Sequence, residues 1–114
     1  MQEPTPQFND ILLYTTPDGG MKVDVIYEGE TFWLSQKKMA ELFGVDVRTI
    51  SEHLQNIYKT SELAEDATIR KFRIVQIEGS REVAREIEFY NLDAIIAVGY
   101  RVNSAQATQF RIWA

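Results

Sequence analysis

Six side chains near the middle of the chain are of types that hydrogen-bond to, or pack against, the edges of DNA bases. An arginine can donate to guanine O6 and N7, a glutamine can pair with adenine, a glutamate can accept from cytosine N4, and a valine can touch a thymine methyl group. On a helix, positions 47, 48, 51, 52 and 55 share one face. We therefore predict base contacts for Asp46, Val47, Arg48, Ser51, Glu52 and Gln55.

A second set of side chains suits the oxygens of backbone phosphates. Its members are Lys37, Lys38, Thr49, Arg70, Lys71, Arg73, Arg81 and Arg85. Simpler structural explanations stay open for both sets. Arg48, Glu52 and Gln55 are also typical of a solvated helix face. Lys37 and Glu41 could form a surface ion pair at i and i+4. The arginines of the later segment alternate with glutamates, so pairs between neighbouring strands would also account for them.

The elements that must position the first set are two short helices between Leu34 and Leu54, in the pattern of a helix-turn-helix. Ser35 can cap a helix from Gln36 to Phe43, and Gly44 suits the left-handed residue that ends it. Asp46 can cap a second helix that reaches about Tyr58. A small residue, Ala40, stands four positions before the glycine, where the two helices would touch. The same spacing also occurs in ordinary helical hairpins.

One position departs from the usual helix-turn-helix pattern. An apolar residue is expected at His53, and the apolar residue is instead its neighbour, Leu54. The register near the end of the second helix is therefore open.

The rest of the chain favours an α+β fold, with small antiparallel strands before the two helices and a hairpin and further helices after them. Turn residues separate strands at 11–14, 23–27 and 31–34. Two β-favouring segments, 71–77 and 82–90, flank a turn and would form a wing. Asn91 is predicted to cap a helix that stops near Gly99, and Ser104 a last helix ending at Ala114. We expect 1–10 to be a disordered start and 11–114 to be one winged-helix-like DNA-binding domain, the N-terminal fragment of a longer chain.

Composition narrows the classes of protein. With 114 residues, 45% of them hydrophobic, the chain suits one domain. Its sequence contains no secretion signal or membrane-spanning segment, which predicts a cytoplasmic location. There is no cysteine, and His53 is the only histidine. Glu86 and Glu88 lack an evident third ligand or nucleophile. No metal, cofactor or enzymatic activity is predicted.

The net charge of -5 argues against a broadly basic DNA-binding surface. Residues 1–33 hold one basic and six acidic side chains, and residues 61–69 hold three acidic ones. Residues 34–60 hold four basic and three acidic side chains, and residues 70–114 hold seven and five. A local basic face is still possible, and the acidic N-terminal region could bind a protein partner.

Several longer motifs resemble one family. They are YTTPDG near the start, then TFWLSQKKMAELFGV, FYNLDAIIAVGYRVNS and TQFRIWA. Together they resemble the virulence-associated RhuM family from Ile11 to Ala114. The resemblance implies a DNA-binding protein of a mobile or horizontally acquired bacterial region, with no catalytic residues in this part. Some relatives are fused to other domains such as Fic. A looser similarity links the chain to the Bro-N and KilA-N domains of phage antirepressors.

From these observations we predict sequence-specific binding of double-stranded DNA, in the service of transcriptional regulation, by a homodimer. The alternative is a protein-interaction module whose helix-turn-helix is only scaffold and which serves a C-terminal or partner toxin-like domain. A third hypothesis makes this part the targeting piece of an enzyme located further along the chain.

Overall fold

The computed structural model describes residues 11–114, and the disordered start predicted for residues 1–10 lies outside them. The described part forms an antiparallel sheet with helices packed against it, so the predicted α+β class is confirmed. Its elements are β1 Ile11–Thr15, β2 Lys22–Glu28, β3 Thr31–Ser35, α1 Gln36–Phe43, α2 Val47–Lys59, α3 Glu65–Thr68, β4 Ile69–Glu78, β5 Arg81–Asn91, α4 Leu92–Val102 and α5 Ser104–Trp113.

The five strands belong to a single sheet in the order β1-β2-β3-β5-β4. The sequence predicted an N-terminal meander and a separate hairpin, and the structure joins them through β3 and β5. Leu34 lies opposite Tyr90, and Ser35 lies opposite Phe89. Leu34 and Tyr90 are both buried in the main core, which explains why these two strands stay together.

The main core lies between one face of the sheet and the helices. Its side chains come from β1, β2, β3, β5 and from α1, α2, α4 and α5. The largest fully buried ones are Leu34, Met39, Leu42, Phe43, Ile50, Ile57, Ile95 and Phe110. We call this side of the sheet the helical face.

The opposite face of the sheet carries a second, smaller apolar cluster. It consists of Ile26, Trp33, Phe72 and Phe89, with Ile74 and Ile87 packed against them. The rings meet edge to face, with 5.7 Å between the centroids of Trp33 and Phe72 and 5.2 Å between those of Phe72 and Phe89. Both sides of the sheet are therefore partly apolar, although the helices cover only one.

The hairpin of β4 and β5 extends well beyond the rest of the sheet. Pairing of β5 with β3 ends at Phe89, because the chain leaves β3 at Ser35 to enter α1. Residues 71–88 pair only with each other, from Lys71 opposite Glu88 to Glu78 opposite Arg81. We call this two-stranded segment the β-ribbon.

Two details of the C-terminal helices differ from the sequence prediction. Helix α4 does not stop near Gly99 but continues to Val102. The glycine is present because a Cβ there would lie 2.6 Å from Phe43 Cζ and 2.7 Å from Ala107 Cβ. The cap of α5 is Asn103, whose side chain accepts from Gln106 N, and the predicted cap Ser104 is the first helical residue.

Candidate nucleic-acid interface

Helices α1 and α2 are joined by a three-residue turn whose ends are both capped. Ser35 Oγ accepts from Lys38 N at 3.2 Å and so begins α1. Gly44 ends α1 in the left-handed region at φ 73°, and its N–H donates to Ala40 O at 2.9 Å. Asp46 then caps α2. These capping positions agree with the sequence prediction.

Helix α2 buries one face and exposes the other. Ile50, Leu54 and Ile57 are buried in the main core. Leu54 therefore faces inward, while His53 is only half-buried, which decides the register that the sequence left open.

The predicted base-contacting side chains all lie on or beside the outward face of α2. Arg48 and Glu52 are widely open, with 86% and 68% of their side chains exposed. Asp46, Val47 and Gln55 are exposed and Ser51 is half-buried. The structure thus brings the six predicted positions together on a single surface, and their contact with bases stays a prediction.

In the free protein these side chains contact each other. Arg48 Nε lies 3.6 Å from Glu52 Oε2, one helical turn away. Gln55 Nε2 donates to Ser51 Oγ at 3.2 Å. Such exposed contacts contribute little stability, so the side chains can exchange them for other partners at small cost.

Asp46 differs from its neighbours because it is engaged in capping. Its Oδ1 accepts from both the backbone N–H and the hydroxyl of Thr49, each at 2.9 Å. These hydrogen bonds hold the pKa of Asp46 below its ordinary value, with a smaller contribution from the charge of Arg48. Asp46 and Thr49 were predicted to contact a base and a phosphate respectively, and here they hold each other at the start of α2.

The two lysines of α1 lie near its beginning. Lys37 is exposed, and Lys38 is half-buried with its Nζ 3.6 Å from Glu41 Oε1. The ion pair considered for Lys37 and Glu41 is therefore made by Lys38 instead.

The cationic residues of the β-ribbon and its base divide between the two faces of the sheet. Ile69 and its partner Tyr90 pack on the main core, whereas Phe72 belongs to the second cluster. Because side chains alternate along a strand, Lys71 and Arg73 point to the helical face. Arg70, Arg81 and Arg85 belong to the opposite face by the same alternation and register.

Arg70 and Arg85 on the opposite face are held by contacts within the protein. Arg85 donates to both carboxylate oxygens of Glu78, at 3.0 and 2.9 Å, which lowers the pKa of Glu78. Arg70 lies 3.3 Å from Glu28 and stacks over Phe72, 4.9 Å from the ring centroid. The cross-strand explanation is confirmed for Arg85. Within residues 11–114, Lys71 and Arg73 form no ion pair shorter than 4.0 Å.

A groove that the sequence analysis missed lies beside the β-ribbon at the start of α1. It is open and holds about 680 Å³. The groove exists because β3 leaves the sheet at Ser35, so that β5 has no inner neighbour beyond Phe89. Its apolar lining includes Ile11, Ile26, Ile74, Ile87 and Phe89, and its polar lining includes Asp24, Lys37, Lys38 and Glu88. The sequence does carry one signal for this groove. Ser35, a residue that caps a helix, directly follows the apolar strand and so marks the point where β3 leaves the sheet.

Comparison with known proteins found a family match for part of the chain. Residues 67–114 match the model of the Virulence protein RhuM family. The resemblance to RhuM drawn from the sequence motifs is confirmed over these residues. Neither the curated proteins nor the solved structures gave a match.

The RhuM match covers α4, α5 and the whole β4–β5 hairpin, together with the end of α3. Helix α2, with the predicted base-contacting face, precedes it. The matched segment is nevertheless not a separate structural unit, because β5 pairs with β3 and Ile95 and Phe110 share the main core with Ile50. The similarity to Bro-N and KilA-N domains stays a prediction. Among the helices of residues 11–114, none is long and apolar enough to span a membrane.

Proposed function

We propose that this protein binds double-stranded DNA in a sequence-specific manner, with α1 and α2 as a helix-turn-helix. The observation that carries the proposal is the two-sided character of α2. Its inward side chains anchor it in the main core, and its outward side chains include Arg48, Glu52 and Gln55, which suit base edges. In this arrangement α2 enters the major groove and the side chains of its outward face read the bases.

The β-ribbon acts as the wing in this proposal. Lys71 and Arg73 lie on the helical face of the sheet, the same side as α2, and neither is engaged in an ion pair within residues 11–114. We therefore place the main phosphate contacts of the ribbon at these two residues. Arg70 and Arg85 already have acidic partners on the other face.

The biological role we propose is transcriptional regulation in a mobile or horizontally acquired bacterial region, as the resemblance to the RhuM family implies. One α2 helix contacts few base pairs, so a homodimer that reads a two-fold symmetric site would supply the specificity. The net charge of -5 makes the non-specific affinity for DNA weak, so dimerisation matters more for binding.

The experiment that tests the proposal is selection of binding sequences from random duplexes at near-physiological salt. The wild-type chain should enrich a defined sequence, and Arg48→Ala should lose preference at one base position while remaining folded. Loss of a bidentate contact to guanine corresponds to about 1–3 kcal/mol of discrimination.

The matched control is Arg81→Ala, which removes an exposed arginine from the opposite face of the ribbon. It should keep the wild-type preference. The recognition assignment of α2 fails if Arg48→Ala selects the same sequence as the wild type with equal strength.

A second candidate function is protein binding, with the two helices as scaffold. It is favoured by the open groove and by the exposed apolar side chains of the β-ribbon, Val75 and Ile77, which are 50% and 68% exposed. Salt separates the two functions. Binding to DNA should weaken steeply as salt increases, because counterions compete for the phosphates, whereas an apolar protein interface should not.

A further inference from the structure

Strand β1 forms one open edge of the sheet and is unusually apolar for such a position. It pairs with β2 on one side, and within residues 11–114 no strand pairs with its other side. Three consecutive side chains on it are exposed: Ile11 by 45%, Leu12 by 41% and Leu13 by 54%. An open edge presents unpaired backbone N–H and C=O groups and can template another strand.

The other open edge, β4, is protected against such pairing. It carries Arg70, Lys71, Arg73 and Glu78, so two copies of β4 side by side would bring like charges together. The sequence of β1 is ILLYT, which contains no charge, no proline and no glycine. Nothing in β1 opposes pairing with a second uncharged strand.

Near β1, exposed aromatic side chains lie on the helical face. Of the exposed residues of β1, Leu12 shares this face, whereas Ile11 and Leu13 point to the opposite face. Trp113 is 36% exposed, and its ring centroid lies 5.1 Å from that of Tyr14 and 5.2 Å from that of Phe32. Tyr27 is 37% exposed and stacks beside Phe32, with 5.0 Å between the centroids. The edge strand therefore borders an aromatic surface that a neighbouring molecule could cover.

We propose that β1 pairs antiparallel with β1 of a second copy of this chain, giving a continuous ten-stranded sheet across the dimer. A two-fold axis near Leu13 would place Leu13 opposite its own copy and Leu12 opposite Tyr14 of the second molecule. Ile11 would lie opposite Thr15. Every facing pair is uncharged, which makes the strand complementary to itself and favours a second copy over a charged partner. The interface does not depend on DNA binding.

The test is sedimentation velocity in the absence of DNA, over protein concentrations up to the high micromolar range. The wild type should show a reversible monomer-dimer equilibrium. Leu13→Glu should weaken the dimer at least tenfold, corresponding to ~1.4 kcal/mol, because two carboxylates would face each other at the axis, each beside Asp24 of its own chain. Leu13 is exposed, so circular dichroism and thermal melting should show an intact fold.

The matched control is Ile77→Glu, which adds the same charge at an exposed position of the other edge strand, where the cross-strand partner Glu82 is also acidic. It should leave the dimer unchanged. A wild type that is monomeric at every concentration overturns the proposal, and so does a dimer that Leu13→Glu does not weaken, whether or not Ile77→Glu disrupts it.

Cross-linking locates the axis independently. The chain has no cysteine, so Leu13→Cys introduces a single thiol. Under mild oxidation Leu13→Cys should form a covalent dimer much faster than Ile77→Cys. Equal rates for the two variants would contradict pairing through β1.

Discussion

Single side chains on α2 have two roles that the structure separates. Arg48, Glu52, Ser51 and Gln55 form weak exposed contacts that can be exchanged for base contacts. Asp46 instead accepts two hydrogen bonds from Thr49 and fixes the start of the helix. Its negative charge at the N-terminus of α2 also offsets the positive end of the helix dipole. A substitution of Asp46 would therefore alter DNA binding by changing how α2 begins, and not by removing a base contact.

The capping role of Asp46 predicts a pH dependence. Its pKa is lowered from 3.8, chiefly by the backbone N–H and the hydroxyl of Thr49. A lowered pKa in the folded state stabilises the fold above the unfolded-state pKa, and that stabilisation is lost as the pH falls through the lower folded value. The backbone amide resonance of Thr49 should titrate with a midpoint below 3.8.

Asp46→Asn is the control, since an asparagine also caps a helix but does not ionise. In that variant the Thr49 amide should show no such titration, and α2 should remain helical. A midpoint at or above the ordinary value in the wild type would show that the hydrogen bonds to Thr49 are not maintained in solution.

The composition of the α2 surface could be predicted from the sequence, because the helical period and the caps are local properties. The ion pairs formed by the other candidate residues could not. Whether Lys37 or Lys38 pairs with Glu41 depends on side-chain direction, and the structure selects Lys38. Which arginines of β4 and β5 are already paired depends on the register of the two strands, which sets Arg85 near Glu78, and on the assembly of the sheet, which sets Arg70 near Glu28.

Among the elements, α4 shows how tertiary packing decides what a glycine means. A glycine near the end of an apolar helical stretch is typical of a helix C-terminus. Gly99 instead lies inside α4, where Phe43 of α1 and Ala107 of α5 approach too closely for any side chain. A local pattern cannot distinguish these two roles, since the second depends on elements far away in the chain.

Gly99→Ala should therefore destabilise the fold, although the same change in an open helix would stabilise it by about 1 kcal/mol. Overpacking at a tight contact costs about 1–3 kcal/mol. Denaturant unfolding monitored by circular dichroism measures the change.

Phe43→Leu provides the matched test of the cause. It should destabilise the chain by itself, but in combination with Gly99→Ala the two losses should be less than additive, because the smaller side chain leaves room for the added methyl group. Fully additive losses would mean that Phe43 is not what opposes the substitution.

In the whole molecule, the cations of the β-ribbon and its base are divided between the two faces of the sheet, although they belong to a single segment of the chain. The sequence predicted a mildly basic C-terminal block and treated the ribbon cations as one group. The register of β4 and β5 places Lys71 and Arg73 on the helical face, and Arg81 and Arg85 on the other. The same register places Glu82, Glu86 and Glu88 on the helical face as well, so the ribbon presents two cations and three carboxylates on the proposed DNA-binding side.

This division predicts which cations determine the salt dependence of DNA binding. Replacing Lys71 and Arg73 together by alanine should reduce the slope of log K against log salt by up to ~1.8, because each phosphate that is no longer neutralised lowers the slope by about 0.9. Replacing Arg81 and Arg85 should leave the slope close to that of the wild type. Fluorescence anisotropy with a selected duplex across a salt series measures both. The reverse result would put DNA on the opposite face of the ribbon.

All five strands and the main helices could be located from the sequence, because turn residues and apolar periods mark them. Their assembly into one sheet could not, since β3 and β5 are far apart in the chain and no local signal pairs them. The groove beside the ribbon and the open edge at β1 follow from that assembly, and they were missed for the same reason.

The pairing of β3 with β5 also has a consequence for how the chain reaches its fold. Leu34 and Tyr90 meet only after the residues between them have been synthesised and the intervening loop has closed. Until then β3 is paired with β2 only, and α1 and α2 lack Ile95, Val98 and Phe110 beside them. We expect the meander and the first two helices to become stable only when β5 has paired with β3. Folding should therefore be limited by this long-range closure and be slower than formation of the local hairpins.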